Sequence, residues 1–363
     1  MKFKLNLKSI LIILIVFTVI FSMTGCGSKQ ASDAVGKAPD EANVTAEQAE
    51  ASVLPEDGPS FSLILGHGAP EESDGHKGTL YFKKLIEERS GGKITVDSYP
   101  AFQLGTVGEL IQNQKSGQIA MTVGTAGGST SKALAFLDLP ALYNDIEKAT
   151  AVVAEGTKAR ALIDQEYGNL NVKVLSIMPI TYRQISSNVA VRSYEDLKGL
   201  DIRTMENPLH MMFWEAVGAN PTPLPFSELY IGLQQGLVSA QENPLDTIYN
   251  SKIYEQQKYL IRSNHVMFYN AYTINLDVWN SMPESYQTLM AETMRDMEKW
   301  TRETTDTSVG TLTTKLEEAG LEVIDFSDED FAKMKEAAAP VYAEAVSLCG
   351  DEVMDEILAT VNE

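Results

Sequence analysis

The sequence is poor in several things. Its 363 residues include two cysteines and four histidines. Two cysteines cannot build a disulfide framework, and four histidines leave little material for zinc chemistry. Positive charge is scarce as well, with 29 Lys+Arg against 50 Asp+Glu and a net charge of −21. Without a basic stripe to neutralise phosphates, nucleic acid is excluded as a partner. Catalytic fingerprints are missing too. Gly127-Gly128-Ser129-Thr130 has no Walker lysine, Gly66-His67-Gly68 lacks the third glycine of a dinucleotide motif, and no Gly-x-Ser-x-Gly elbow occurs. His67 and His76 share a loop without a third ligand at metal spacing. No metal and no cofactor is expected, and nothing compels catalysis.

The longest apolar stretch, Ile10 to Phe21, is interrupted only by Thr18. It is too short for a comfortable membrane span and fits the apolar region of a signal peptide, with Lys2, Lys4 and Lys8 before it. Met23-Thr24-Gly25-Cys26 follows and resembles a bacterial lipoprotein signal. Residues 1–25 are therefore expected to be cleaved, leaving Cys26 lipidated and the protein anchored on the outer side of a membrane. That cleavage would remove three lysines and no acids, moving the net charge from −21 to −24. Residues 26–58 lack aromatic residues and have few large apolar ones. They cannot bury enough surface to offset chain entropy, so a flexible tether is expected. Cys349 then has no partner and reads as a small apolar residue.

The remaining length, with 44% hydrophobic residues overall, exceeds one core and predicts two lobes. Phe61–Gly66 reads as a strand and Asp74–Glu88 as a helix with Leu80, Leu85 and Ile86 on one face. A strand at 93–96, a helix at 107–115 and a strand at 119–123 follow. The alternation resumes with strands near Asp201 and Pro221 and helices from Pro208 and Ser227. Alternation of this kind predicts an α/β fold with a largely parallel sheet. Pro283 to Glu318 carries Tyr286, Met290, Met294 and Met297 at helical spacing. A helix of that length reaches roughly 54 Å at 1.5 Å per residue, enough to cross between lobes.

Binding has better material than catalysis. Arg203 ends a short strand, and Asn207-Pro208 supplies a helix cap and first helical residue. A guanidinium beside a helix N-terminus suits a carboxylate. The wider pattern is Asp196-Leu197-Lys198-Gly199-Leu200-Asp201-Ile202-Arg203, then Pro225-Phe226-Ser227-Glu228, Gln241-Glu242-Asn243-Pro244 and Asn264-His265. It strongly resembles the DctP-type solute-binding proteins of TRAP (tripartite ATP-independent periplasmic) transporters. The resemblance runs from about Phe61 to the C-terminus and is most specific between Arg183 and His265.

That resemblance implies a two-lobe periplasmic-binding-protein-like fold with a long inter-lobe helix. It closes on a small organic acid and passes it to an ion-driven membrane permease. It implies that Arg203 clamps the ligand carboxylate, with Arg183, Phe226 and Asn243 also in the pocket. His67 and Thr125 stand where the other lobe usually contacts ligand, and Glu206 offers an acceptor to hydroxyls. His265 reads as a satisfied core histidine. The expected lobes are 59–181 with 269–308, and 182–268 with 309–363. The expected ligand is a sugar acid such as a hexuronate, with a C4-dicarboxylate or other carboxylate as the alternative in the same class. From other classes, a secreted hydrolase or lyase acting on a sugar acid would show turnover, and an adhesin would bind no soluble ligand.

Overall fold

The computed structural model describes residues 54–362. The signal segment 1–25, Cys26 and all but the last residues of the tether lie outside the described residues. The strands are β1 (Phe61–His67), β2 (Ile94–Tyr99), β3 (Met121–Thr125), β4 (Val172–Ser187), β5 (Asp201–Thr204), β6 (Asn220–Pro223), β7 (Ala240–Asn243), β8 (Tyr259–Asn275) and β9 (Glu322–Asp325). Helices α1 (Asp74–Arg89), α2 (Val107–Lys115), α3 (Ile146–Val152) and α4 (Lys158–Asn169) precede β4. Next come α5 (Pro208–Ala216), α6 (Phe226–Gln234), α7 (Leu245–Asn250), α8 (Leu276–Ser281) and α9 (Glu284–Glu318). The C-terminal helices are α10 (Asp328–Ala337), α11 (Ala339–Cys349) and α12 (Asp351–Asn362).

The sheet explains why two lobes form. Among the described residues the strand order is β2-β1-β3-β8-β4-β7-β5-β6, with β9 also paired to β8. β4 and β8 are long and antiparallel, and they make a two-stranded ribbon. The parallel group β2-β1-β3 attaches where Met121–Thr125 meets Asn270–Ile274 of β8. The second group, β7-β5-β6, attaches at the other end, where Ala240–Asn243 meets Gln184–Ser187 of β4. The sheet is thus parallel in each group and antiparallel through the ribbon. The expected largely parallel sheet holds for the groups only. A crossing strand must run out and its partner must run back, so the ribbon is antiparallel. Its pairing is interrupted between Val174 and Ser176, Pro179 and Thr181, and Arg183 and Ile185. Pro179 has no N–H for the ladder, so it belongs at such an irregularity.

Two main cores pack against the ribbon, the larger along most of its length. One gathers Leu63, Leu65, Phe82, Ile94, Met121 and Ile274 around Tyr286, Met290, Met294 and Met297 of α9. The other gathers Phe136, Ile163, Trp214 and Met354. Residues 126–167, expected with the first lobe, share this second core with Leu200–Ala219 and Ile324–Val361. A satellite cluster holds Leu312 and Leu316 near the far end of α9. The helix therefore enters one core with its first half and another with its second. It is continuous over 35 residues, and Gly310 does not break it.

Local chemistry fixes the elements nearest the site. Ser73 caps α1 by accepting from the His76 N–H, and Thr106 with Glu109 forms a capping box on α2. Asn207 caps α5, with Pro208 at its first turn, as the sequence predicts. The apolar face of α1 runs through Thr79, Phe82 and Ile86. Leu80 is exposed instead, because it falls off that i, i+3, i+7 stripe. Cys349 is half-buried, and burial pushes its thiol up to about 11, which makes it a poor nucleophile.

Candidate functional site

A cavity of about 420 Å³ lies between the two strand groups, against the ribbon and α9. Its walls include His67 at the end of β1, Thr125 at the end of β3, Arg203 near the end of β5 and Asn243 at the end of β7. Arg183 reaches it from β4, Phe226 from the start of α6, and Glu206 from the loop after β5. All seven residues expected from the sequence are thus brought to one cavity. Parallel strands present their carboxyl ends to such a crevice, where connecting loops leave room for a ligand.

Beneath the cavity runs a buried network of charge. Arg183 Nε donates to Glu242 Oε2, and its Nη2 donates to the Glu242 carbonyl (2.7 Å), to Oε1 (3.0 Å) and to Asn243 Oδ1 (3.1 Å). Asn243 in turn donates to Gln241 Oε1 at 2.6 Å. Its side chain supports Arg183 and does not cap α7, whose N-cap is Pro244. The Arg183 guanidinium also stacks 5.6 Å from the Phe268 ring. Glu242 is 0% exposed and accepts from His265 Nε2 at 3.2 Å. His265 Nδ1 meets the Ser263 hydroxyl at 2.8 Å, which leaves a satisfied core histidine, as expected.

His210 links two carboxylates. Its Nδ1 stands 3.7 Å from Glu242 Oε1 and its Nε2 3.5 Å from Asp138 Oδ1, ion-pair distances longer than good hydrogen bonds. Asp138 Oδ2 accepts from the Gly128 N–H at 2.6 Å and from Asn207 Nδ2 at 2.8 Å. The glycines at 127–128 thus cradle a carboxylate of their own chain. Gly127 has φ 143°, and a Cβ there would come within 2.5 Å of Asp138 Oδ2.

Burial raises the Glu242 carboxyl, but Arg183, with the two histidines, overcomes this and holds it well below the carboxylate range. For His210, burial lowers the imidazole, yet contacts with Asp138 and Glu242 win and push it up to about 9. Arg203 is 2% exposed. Its Nε (3.0 Å) and Nη2 (2.6 Å) both donate to the Leu224 carbonyl. Its Nη1 is buried and has no partner. Burial pushes this guanidinium down to about 10, with Glu242 opposing and Arg183 assisting. Three buried cations, Arg183, Arg203 and His210, therefore face two buried carboxylates, Glu242 and Asp138. Of these groups Arg203 alone forms no ion pair among the described residues, its acceptor being the Leu224 carbonyl.

Across the cavity His67 is held neutral. The Ala69 N–H donates to His67 Nδ1 at 3.2 Å, which assigns the ring proton to Nε2, 3.0 Å from His76 Nδ1. Both nitrogens of His67 are therefore engaged within the protein. Burial, then His76, pushes its imidazole down to about 4. Thr125 is held by its register opposite Asn270. Phe102 faces Phe226 across the groups, ring centroids 6.1 Å apart. It sits on a strained turn, with Ala101 and Phe102 both at left-handed φ (50° and 59°). Gly68 is its seat, since a Cβ there would lie 2.1 Å from the Phe102 ring.

Residues 65–347 match the DctP family, bacterial extracellular solute-binding protein, family 7. The chain belongs to that family. The DctP chain is similar to the 2,3-diketo-L-gulonate-binding periplasmic protein of Escherichia coli strain K12, with 26% identity over 72% of this chain and 80% of that one. Its fold is similar to a TRAP periplasmic solute-binding protein of Haemophilus influenzae with bound L-gulonate (TM-score 0.77, 26% identity, 84% of this chain, 99% of that one). It is similar as well to one from Desulfovibrio salexigens with bound orotic acid (TM-score 0.78, 27% identity, 84% and 98%). The DctP fold is two-lobed, and its members are transporter solute-binding proteins rather than enzymes. They work outside the cytoplasm. No helix among the described residues is long and apolar enough to cross a membrane.

The DctP network carries its own pH signature. His210 is raised from an unfolded value near 6.5 to about 9, so its stabilisation is complete below pH 6.5 and is lost as pH rises through 9. The melting temperature should fall by a few degrees between pH 7 and 9, and His210→Gln should flatten that slope. Cys349 acts in the same direction only higher, between about 9 and 11. A wild-type melting temperature constant from pH 7 to 9 would show that His210 is not a buried imidazolium.

Proposed function

We propose that this protein captures a small organic acid, a sugar acid such as a hexuronate, and hands it to the membrane permease of a TRAP transporter. The observation that carries this reading is Arg203, a buried guanidinium at the cavity with one unpartnered nitrogen and no ion-pair partner among the described residues. A planar cation held on one side by the Leu224 carbonyl offers its remaining edge to a carboxylate. A similar protein with bound L-gulonate and another named for binding 2,3-diketo-L-gulonate support a six-carbon sugar acid, while one with bound succinate keeps C4-dicarboxylates as the alternative. Arg203 would clamp the carboxylate and Arg183 would hold Asn243 and the field around it. Phe226 would pack on the ligand, with His67, Thr125 and Glu206 completing the walls.

The lobes would close about the irregular ribbon, with α9 bridging them. The lobes would divide as 59–181 with 269–308 against 182–268 with 309–363, except that residues 126–167, which share the second core, would move with the second lobe. The N-terminal reading is part of the same proposal: cleavage after residue 25, lipid on Cys26 and a tether over 26–58 would hold the protein on the outer face of the membrane. A thermal-shift panel of sugar acids and dicarboxylates tests the ligand class. A ligand at 100 times its Kd stabilises by about 2.7 kcal/mol, a rise of several degrees. Sugar acids should raise the melting temperature and C4-dicarboxylates should not. No shift with any carboxylate in the panel would sink the reading.

A further inference from the structure

We propose that Asp246, with Asp74, selects against a second carboxylate on the ligand, so that the protein takes polyhydroxy monocarboxylates and rejects the matching diacids. This rests on the reading of the cavity as an organic-acid site. Asp74 lies in the first turn of α1 and Asp246 in the first turn of α7, 172 residues apart, and both line the cavity. The Asp74 N–H donates to Asp246 Oδ1 at 3.4 Å, so the two elements meet there. Asp74 Oδ1 accepts from Lys77 Nζ at 3.3 Å, an exposed partner, while Asp74 Oδ2 is buried without a partner. Asp246 Oδ1 also accepts from Asn250 Nδ2 at 2.6 Å.

The acidic pair acquires meaning from Arg203, whose buried, unpartnered Nη1 belongs to the same cavity. The charges that act on Arg203 are Glu242, Arg183 and Glu206. Those that act on Asp246 are Asp74 and Lys77; burial, then Asp74, raises its carboxyl to about 6, with Lys77 opposing. The cavity therefore has a cationic wall and a separate anionic wall. Arg203, which has no ion-pair partner among the described residues, matches one carboxylate. The anionic wall accepts hydrogen bonds from hydroxyls, and a second carboxylate placed there would meet like charge in a partly desolvated setting. At an effective dielectric of about 20, unit charges roughly 10 Å apart repel enough for about a tenfold change in affinity.

The test compares L-gulonate with D-glucarate, which differ in whether the terminal carbon is CH₂OH or carboxylate, by calorimetry on the full chain. Wild type should favour L-gulonate by at least about tenfold, and Asp246→Asn should cut that preference by about tenfold. Asparagine keeps the volume and the Oδ1 acceptor for Asn250; Asp74→Asn is the second variant and should shift the ratio the same way. A general loss of packing would weaken both ligands and leave the ratio alone. An unchanged ratio in both variants, equal binding of the two acids by wild type, or binding of neither would overturn the proposal. Arg203-dependent binding of some other carboxylate would then leave the broader reading standing.

Discussion

Replacing Arg203 with alanine is expected to weaken organic-acid binding by about 30- to 5,000-fold, the equivalent of about 2–5 kcal/mol. The effect is large because the ligand carboxylate, once desolvated, would have lost the cation that has no ion pair of its own within the protein. Arg183 would replace it only in part, because its Nε and Nη2 are committed to Glu242 and Asn243. Arg203→Lys should also bind poorly. A lysine ammonium can donate to the Leu224 carbonyl or to the ligand, but it cannot hold the planar geometry that serves both. Folding should be little affected, since Arg203 unliganded is a desolvated cation with a single carbonyl partner. Calorimetry checks this, and near-normal affinity in Arg203→Ala would remove the clamp assignment.

The second large effect concerns stability. Glu242→Gln should destabilise the protein by about 3–5 kcal/mol, because it leaves Arg183 and the His210 imidazolium buried without their shared anion. The ion pair as such is not expected to be worth that much. Two desolvated charges roughly offset their own attraction, and the penalty comes from stranding one partner. Double replacement of Arg183 and Glu242 by methionine should therefore cost less than the two single changes combined. Thermal melts at pH 7 read both. A Glu242→Gln protein that melts with wild type would mean the buried network contributes nothing to the fold.

Much of this architecture was legible because local signals agreed. The helix Val107–Lys115 and the strand Asp201–Thr204 carry their own caps, periodicity and turn residues, and the structure places both at the expected residues. The long helix was legible from Tyr286, Met290, Met294 and Met297, all buried in one core. The ribbon was not. β4 and β8 have runs of consecutive buried residues, hence burial on both faces, so neither shows a clean alternation. Nor does local sequence reveal that residues 126–167 pack with the C-terminal helices, which is a long-range fact.

The candidate residues came together because the family pattern fixes strand ends, where side chains converge. What escaped was the layer behind them. Glu242 stood in the Gln-Glu-Asn-Pro motif, but asparagine drew attention as the pocket residue. Asp138 had a readable signal, a lone acid between Leu137 and Leu139 in an apolar run, which marks a buried charge in need of a partner. That the partners are His210 and Asn207 cannot be read from spacing, since they lie about seventy residues away. Phe102 carried no signal at all, because its role depends on a left-handed turn and on the space above Gly68.

The central claim is that the cavity holds an organic acid by its carboxylate on Arg203. A crystal structure grown with the carboxylate that gives the largest thermal shift tests it most directly. The account predicts a carboxylate oxygen within about 2.7–2.9 Å of Arg203 Nη1, with Nε and Nη2 still on the Leu224 carbonyl. A carboxylate bound elsewhere in the protein, with Arg203 Nη1 still lacking a partner, would contradict it.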